Sequence, residues 1–258
     1  MILKLLILLL RFLNLTYYHF AELLEKFNPS PAWSKELGLY FHTDPQQIIK
    51  AYHLKRSQAA KLWTKSKRQK ISQIFSFYSE TDYWVYRQTY FNRLKIFLDI
   101  ALGLILKPSG KVCEYGAGVG PVTHWLIKYF KAWRYYLVDL DCPVLTFSRW
   151  RFRNYPQVSF GVVKSLTPPL KDNFDIIICK QVLEHVPNPL TIIKSFVKHL
   201  KPGGWIFLDY VNDPGQENLI ASAKNRRQVL KYLDIKLQPI LRINPENPKE
   251  GYGLYIKK

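Results

Sequence analysis

The sequence predicts an α/β fold, a mostly parallel sheet with helices on both faces, preceded by a helical N-terminal third. Three observations predict it. Beyond Gly110, short apolar runs alternate with helical segments, the pattern of parallel strands joined by crossover helices. Before Lys107, apolar residues recur three and four apart with few turn signals. Of the 258 residues, 48% are hydrophobic and 15% aromatic, which excludes a disordered chain and allows a proper core. Lys107-Pro108-Ser109-Gly110 punctuates the change of pattern and divides the chain into residues 1–107, a helical cap, and residues 108–258, the sheet domain.

Met1 to Leu15 is apolar except for Lys4, Arg11 and Asn14. Its longest uninterrupted apolar run, Leu5 to Leu10, is six residues, well short of the ~20 that cross a bilayer. A secretory signal would need a longer run and a better small-residue cleavage site. The segment reads as a helix lying on a membrane or as one packed on the rest of the protein. Helices follow at Tyr17–Phe27, Pro45–Tyr78 and Tyr83–Ile105, with Asn28-Pro29-Ser30-Pro31 as a loop. Lys111–Tyr115, Tyr135–Val138, Val158–Val163, Phe174–Cys179 and Trp205–Tyr210 read as strands, with helices near 120–131, 143–153, 189–200 and 216–232.

Thirty-eight Lys and Arg against 19 Asp and Glu give a formal charge of +19. Such an excess fits an anionic partner, a membrane surface or a lysine-rich proteome. The charge is spread along the chain, but Pro45 to Ser79 holds eight basic residues (Lys50, Lys55, Arg56, Lys61, Lys65, Lys67, Arg68 and Lys70) and no acid. That stretch reads either as a solvated helical face or as one that binds anions or lipid headgroups. Cys113, Cys142 and Cys179 each lie in apolar runs and no pair has CxxC spacing. A disulfide scaffold and a zinc ribbon are thereby excluded, no metal is expected, and the cysteines read as buried, reduced thiols of a cytosolic protein.

The first strand runs into Glu114-Tyr115-Gly116-Ala117-Gly118-Val119-Gly120, with Pro121 opening a helix. The glycines read GxGxG, and Pro121 stands where a dinucleotide fingerprint needs its third glycine. Glu114, two residues before Gly116, is badly placed for a pyrophosphate but suits an ammonium or sulfonium. The combination points to S-adenosylmethionine (SAM). Asp139 ends the second apolar strand 19 residues beyond Gly120, where a carboxylate accepts both hydroxyls of a ribose. Asp141 competes, but falls where capping of the next helix explains it. After the fourth strand, Lys180 to Pro187 lead into Asn188-Pro189, a cap followed by proline, and Pro202-Gly203-Gly204 stop the ensuing helix.

EYGAGVG at 114–120, LVDLD at 137–141, FDIIICKQVLEHVPNP at 174–189 and LKPGGWIFL at 200–208 together resemble a class I SAM-dependent methyltransferase, within the broad group that includes the quinone-biosynthesis methyltransferases. The resemblance covers roughly residues 108–258. It implies a Rossmann-like, seven-stranded sheet whose last pair, Lys236–Ile243 and Tyr252–Lys257, is antiparallel. It implies SAM as cofactor, lined by Glu114, Gly116, Ala117 and Gly118. Asp139 would take the ribose hydroxyls, Leu140 would sit beside adenine, and Gln181 would face the methionine part. Many relatives carry an acid after the third strand that binds the adenine amino group. Here the chain reads Val163-Lys164-Ser165, so adenine recognition must use the backbone or Ser165.

Methyl transfer is an in-line displacement in which positioning supplies most of the catalysis. A general base is needed only for a protonated acceptor, and His185 is the candidate, with a backbone-bonded helix-start histidine as its structural alternative. Glu184 orients the loop. In the cap, Tyr83, Tyr86 and Arg87 read as lid residues that reach cofactor or acceptor, or, for the tyrosines, as aromatic packing. The expected function is methyl transfer from SAM to a small-molecule or lipid-like acceptor by a cytoplasmic protein peripheral on the membrane. The alternatives are an RNA methyltransferase, disfavoured because no RNA-binding module or NPPY tetrad is present, and a non-catalytic SAM-binding or membrane-scaffold subunit.

Overall fold

The computed structural model describes residues 1–28, 31–65, 71–211, 220–244 and 251–258. Seven strands form one sheet: β1 (Lys111–Tyr115), β2 (Arg134–Leu140), β3 (Val158–Val163), β4 (Phe174–Cys179), β5 (Leu200–Asp209), β6 (Gln238–Leu241) and β7 (Tyr252–Ile256). Their order is β3-β2-β1-β4-β5-β7-β6. β1 to β5 run parallel, and β7 lies antiparallel to both β5 and β6. The chain therefore reverses its winding between β1 and β4, the switch point at which sheets of this kind open a crevice above their strand tips.

Alternation along β4 assigns the two faces. Ile176 and Ile178 join Val112, Phe207 and Leu254 in a core covered by α6 (Leu98–Ile105) and α7 (Pro121–Leu126). Ile177 and Cys179 join Cys113, Ile206 and Leu208 under α9 (Pro189–His199) and α10 (Ile220–Lys236). Because helices cover both faces, all six β4 residues are buried and the strand is apolar but for Asp175, which Lys107 and Lys201 pair. Asn188 caps α9 by accepting from the Thr191 N–H at 3.3 Å, with Pro189 in the first turn. β6 is shorter than the sequence predicts because α10 continues to Lys236. All three cysteines are buried and unbridged.

The helical third departs further from expectation. The sequence predicts one helix over Tyr83–Ile105, but the structure has α5 (Tyr83–Asn92) and α6, with a break at residues 93–97. α6 packs on the sheet with Ile100, Ala101 and Leu104. A helix the sequence reading passed over, α2 (Ala32–Phe41), precedes α3 (Pro45–Lys65) and α4 (Ile71–Ser79). Lys67, Arg68 and Lys70 of the basic run lie outside the described residues. Of the rest, Lys50, Arg56 and Lys61 are exposed, while Lys55 pairs with Asp82 at 2.6 Å.

At the N-terminus, α1 (Ile2–Glu25) is one continuous helix of 24 residues. By length and composition it is apolar enough to cross a membrane, so judging the segment by its six-residue run alone understates it. One face docks on the sheet domain. Ile7 is fully buried, the Arg11 guanidinium lies 3.9 Å from the Tyr252 ring centroid, Asn14 donates to Asp99 at 2.9 Å, and Glu25 pairs with Arg93. These positions fall on one side of a helix of 3.6 residues per turn. The other side exposes Ile2, Leu5, Leu9, Phe12, Phe20 and Leu24.

Candidate functional site

The loop between β1 and α7 is closed by its own hydrogen bonds. Gly116 and Ala117 N–H donate to Val138 O at 2.8 and 3.1 Å, and Gly120 N–H to Ala117 O at 2.7 Å. Gly118 N–H donates to Asp139 Oδ2 at 2.5 Å and Val119 N–H to Gln88 Oε1 at 3.1 Å. Gly116 and Gly118 have positive φ, and a Cβ on either would collide with Val182 or Gln88, at 2.1 and 1.9 Å. At the start of α7, Pro121 has no N–H, while Val122 and Thr123 N–H donate to Glu114 at 3.3 and 2.9 Å. Every backbone donor from Gly116 to Thr123 is therefore engaged within the protein. A pyrophosphate site needs those donors free.

Glu114 is buried, and Thr123 Oγ1 also donates to its Oε2 at 2.6 Å. The side chain caps α7 through these bonds. Burial pushes its pKa up to about 7, against the opposing pull of the Thr123 and Val122 hydrogen bonds. Asp139 stands at the tip of β2, half-buried, and accepts from Gly118 N–H and, at 2.7 Å, from Leu140 N–H. Burial raises its pKa to about 6 despite both bonds. Each of its oxygens keeps acceptor capacity beyond the bond it makes. An open cleft of about 470 Å³ begins two residues further on, lined by Tyr40, Ser79, Asp141, Cys142, Pro143 and Thr146. Asp141 does not cap α8 (Pro143–Arg151): Cys142 holds that position, and Asp141 is exposed, 3.8 Å from Arg149. Ser165 closes a local turn with Thr167.

Across the switch point, Gln181 adopts φ +57, a left-handed conformation rare for a residue with a side chain. Asp209, at the tip of β5, holds it there by accepting the Gln181 backbone N–H and, at 3.3 Å, its side-chain amide. Two residues on, Leu183–His185 form a 3₁₀ turn. Glu184 is buried, and the half-buried His185 ring meets Tyr78 of α4 edge-on at 6.4 Å.

A family model described as a methyltransferase domain matches residues 83–238, more than half of the chain. The chain belongs to this methyltransferase-domain family. It is 30% identical over 118 residues to the ubiquinone biosynthesis O-methyltransferase of Xanthomonas campestris pv. campestris, covering 45% of this chain and 48% of that one. It is 30% identical over 137 residues to the phosphoethanolamine N-methyltransferase of Triticum aestivum, covering 51% and 26%. The chain thus spans about half or less of the length of these relatives. Among solved structures, the N-methyltransferase NodS of Bradyrhizobium japonicum WM9 in complex with S-adenosylhomocysteine aligns over 61% of this chain and 83% of its own, with 18% identity and a TM-score of 0.45.

The cofactor of this methyltransferase family is SAM, which carries no phosphate, and the residues present fit it. The glycine loop offers no free N–H to an anion, and an ionisable carboxylate with spare acceptor capacity stands at the neighbouring strand tip. The cap closes on the loop from the other side. Val119 packs with Trp84, Tyr86 and Phe147. Arg151 donates to Val119 O at 2.6 Å and grips Glu36 of α2 through two bonds of 2.7 and 2.6 Å. Tyr83 and Tyr86 are buried in this aromatic cluster, stacked on Tyr52 and Phe41, the packing alternative of the sequence reading. Arg87 is exposed, 5.9 Å from the Trp84 and Phe91 ring centroids. Sequence reasoning missed Gln88, Arg151 and Asp209. Asp209 had a usable signal, an acid ending an apolar strand as Asp139 does. A glutamine amid aromatics gives none.

Proposed function

We propose that the protein transfers the methyl group of SAM to an oxygen, nitrogen or carbon of a small, lipid-like acceptor taken from the cytoplasmic face of a membrane. The observation that carries the transfer reading is the self-satisfied glycine loop beside Asp139. Bound SAM supplies an activated methyl, whose bond to sulfur breaks, leaving its electron pair on sulfur, as an acceptor lone pair forms the new bond. In this reading Asp139 accepts the two ribose hydroxyls, Leu140 packs beside adenine, and Gly116, Ala117 and Gly118 present backbone to the cofactor. Gln181, held in its left-handed conformation by Asp209, faces the methionine part. His185 takes the proton when the acceptor is a hydroxyl. Residues 1–107 act as the cap that shields the reacting atoms from water.

The membrane part rests on α1. Its docked face is fixed by Ile7, Arg11, Asn14 and Glu25, which leaves a long apolar face exposed among the described residues, in a chain of charge +19. Docking along the domain favours lying in the interface over crossing it. Calorimetry on the full chain tests the first part: S-adenosylhomocysteine should bind and NAD should not, and tighter binding of NAD would end the methyltransferase reading. Flotation with liposomes tests the second. The intact protein should float with anionic vesicles and less so at high salt, and Leu9→Gln with Phe12→Gln should keep it at the bottom. Retention of the unaltered protein in the soluble fraction with both neutral and anionic vesicles rules the membrane surface out.

A further inference from the structure

Beside Gln181, at the tips of β4 and β5, two lysines converge from separate elements. Lys180 directly follows β4, and Lys95 sits in the break between α5 and α6. Both are half-buried among aromatic walls. Lys95 Nζ lies 3.8 Å from the Phe91 ring centroid, and Lys180 Nζ lies 5.6 and 6.0 Å from those of Phe97 and Tyr252. Among the described residues neither ammonium has a carboxylate within 4 Å. At the opposite end of the sheet, Lys107 and Lys201 pair with Asp175 at 2.9 and 2.7 Å. Asp209, which accepts two hydrogen bonds from Gln181, is the acid whose charge acts on both lysines. Burial first, then Lys180 and Arg87, lower Lys95 to about 7, and Asp209 only partly offsets them. Two lysines half out of water share the single opposing charge of Asp209, and an incoming anion offsets the positive excess.

We propose that Lys95 and Lys180 are the acceptor-recognition site, binding a carboxylate or phosphate carried by the molecule to be methylated. This rests on the methyl-transfer reading, since the pair stands at the strand tips beyond Gln181, on the side away from the glycine loop and Asp139. The Tyr252 ring that borders Lys180 also receives Arg11 of α1, so the site adjoins the helix with the exposed apolar face. An amphiphile with an anionic head and a soluble small acid both meet this chemistry, and the experiment separates them.

The full chain is first loaded with S-adenosylhomocysteine, then titrated with inorganic phosphate by calorimetry. Saturable binding is expected, weakened at least tenfold by Lys95→Met and by Lys180→Met. Lys61→Met, which removes the same charge from an exposed helix, should leave it unchanged. Asp209→Asn, which keeps an acceptor for Gln181, should tighten it severalfold. In the unaltered protein near pH 8, binding should take up a proton, seen as a heat that depends on the buffer, because the anion returns Lys95 towards its ordinary range. Dihexanoylphosphatidylglycerol below its micelle concentration binding ten times tighter than O-phosphoethanolamine assigns an amphiphile, and equal binding assigns a soluble acid. Lack of saturation, or equal loss in Lys61→Met, overturns the proposal. Failure of S-adenosylhomocysteine to bind in the first step sinks the methyl-transfer reading instead.

Discussion

The two halves of the crevice solve opposite problems. At the β1–β2 tips the backbone from Gly116 to Thr123 spends every donor on the protein itself, and Asp139 and Glu114 are fixed by those donors. At the β4–β5 tips stand a left-handed Gln181 and two lysines that, among the described residues, face the single charge of Asp209. In the proposed reading the first half serves the cofactor and the second half the acceptor. Substitutions should separate the halves cleanly.

The largest effect is expected from His185→Ala, which should lower turnover of a hydroxyl acceptor by about 10²–10⁴, measured as release of S-adenosylhomocysteine, with cofactor affinity nearly unchanged. An unaltered rate makes His185 structural and favours an amine or carbon acceptor. A loss of cofactor affinity would blur the two halves, because the histidine belongs to the β4 side.

Glu114 sharpens the comparison through pH. Its folded pKa of about 7 lies above the ordinary 4.5, so the folded state holds a proton that the unfolded chain releases. That contribution is complete below about pH 4.5 and is lost as pH rises through 7, up to on the order of 3 kcal/mol. Glu114→Gln, which keeps an acceptor for α7, should flatten this slope in denaturant midpoints measured from pH 5 to 8. Asp139, also raised by burial to about 6, titrates in the same window, and in the proposed reading its ionised form accepts the ribose hydroxyls. Affinity for S-adenosylhomocysteine should therefore rise from pH 5 to 7. Asp139→Ala should abolish that rise and weaken binding by about ten- to a hundredfold. A pH-independent affinity in the unaltered protein would detach Asp139 from the ribose.

Legibility followed the same division. The five parallel strands, the glycine loop and the place of Asp139 at a strand tip could be read because strand periodicity and backbone chemistry leave local marks in sequence. The role of Glu114 could not, since its partners Val122 and Thr123 come from a helix whose approach depends on the fold. The break at residues 93–97 lacks proline and glycine, so only tertiary packing ends α5 there and places Lys95 at the crevice. α2 was hidden because Pro31 and Gly38 look like loop punctuation. Pro31 is in fact the N-cap, and Gly38 sits in the last turn, where a Cβ would fall 2.7 Å from Thr43 O. Tyr83 and Tyr86 carry the same pattern whether they line a lid or fill a core, and burial decided for the core.

The smallest effect concerns the latch between cap and loop. Gln88 reaches from α5 to the Val119 N–H, and its amide fills the space beside Gly118. Arg151 holds Val119 O independently, so the loop keeps one tether when the other is cut. Gln88→Ala strips a partner from a buried N–H, a loss of roughly 1 kcal/mol, less than tenfold in affinity for S-adenosylhomocysteine. Because the latch retains a ligand and does not attract it, the change should appear as faster dissociation with association little altered, measured by stopped-flow fluorescence of the cap tryptophans. Tighter binding by the variant would mean that Gln88 occupies space the cofactor needs, and that the glycine loop is blocked by the cap where it was taken to be braced. Gly118→Ala separates the two cases further: with φ +54 and a Cβ that would sit 1.9 Å from Gln88 Oε1, it should release the cap even where Gln88→Ala does not.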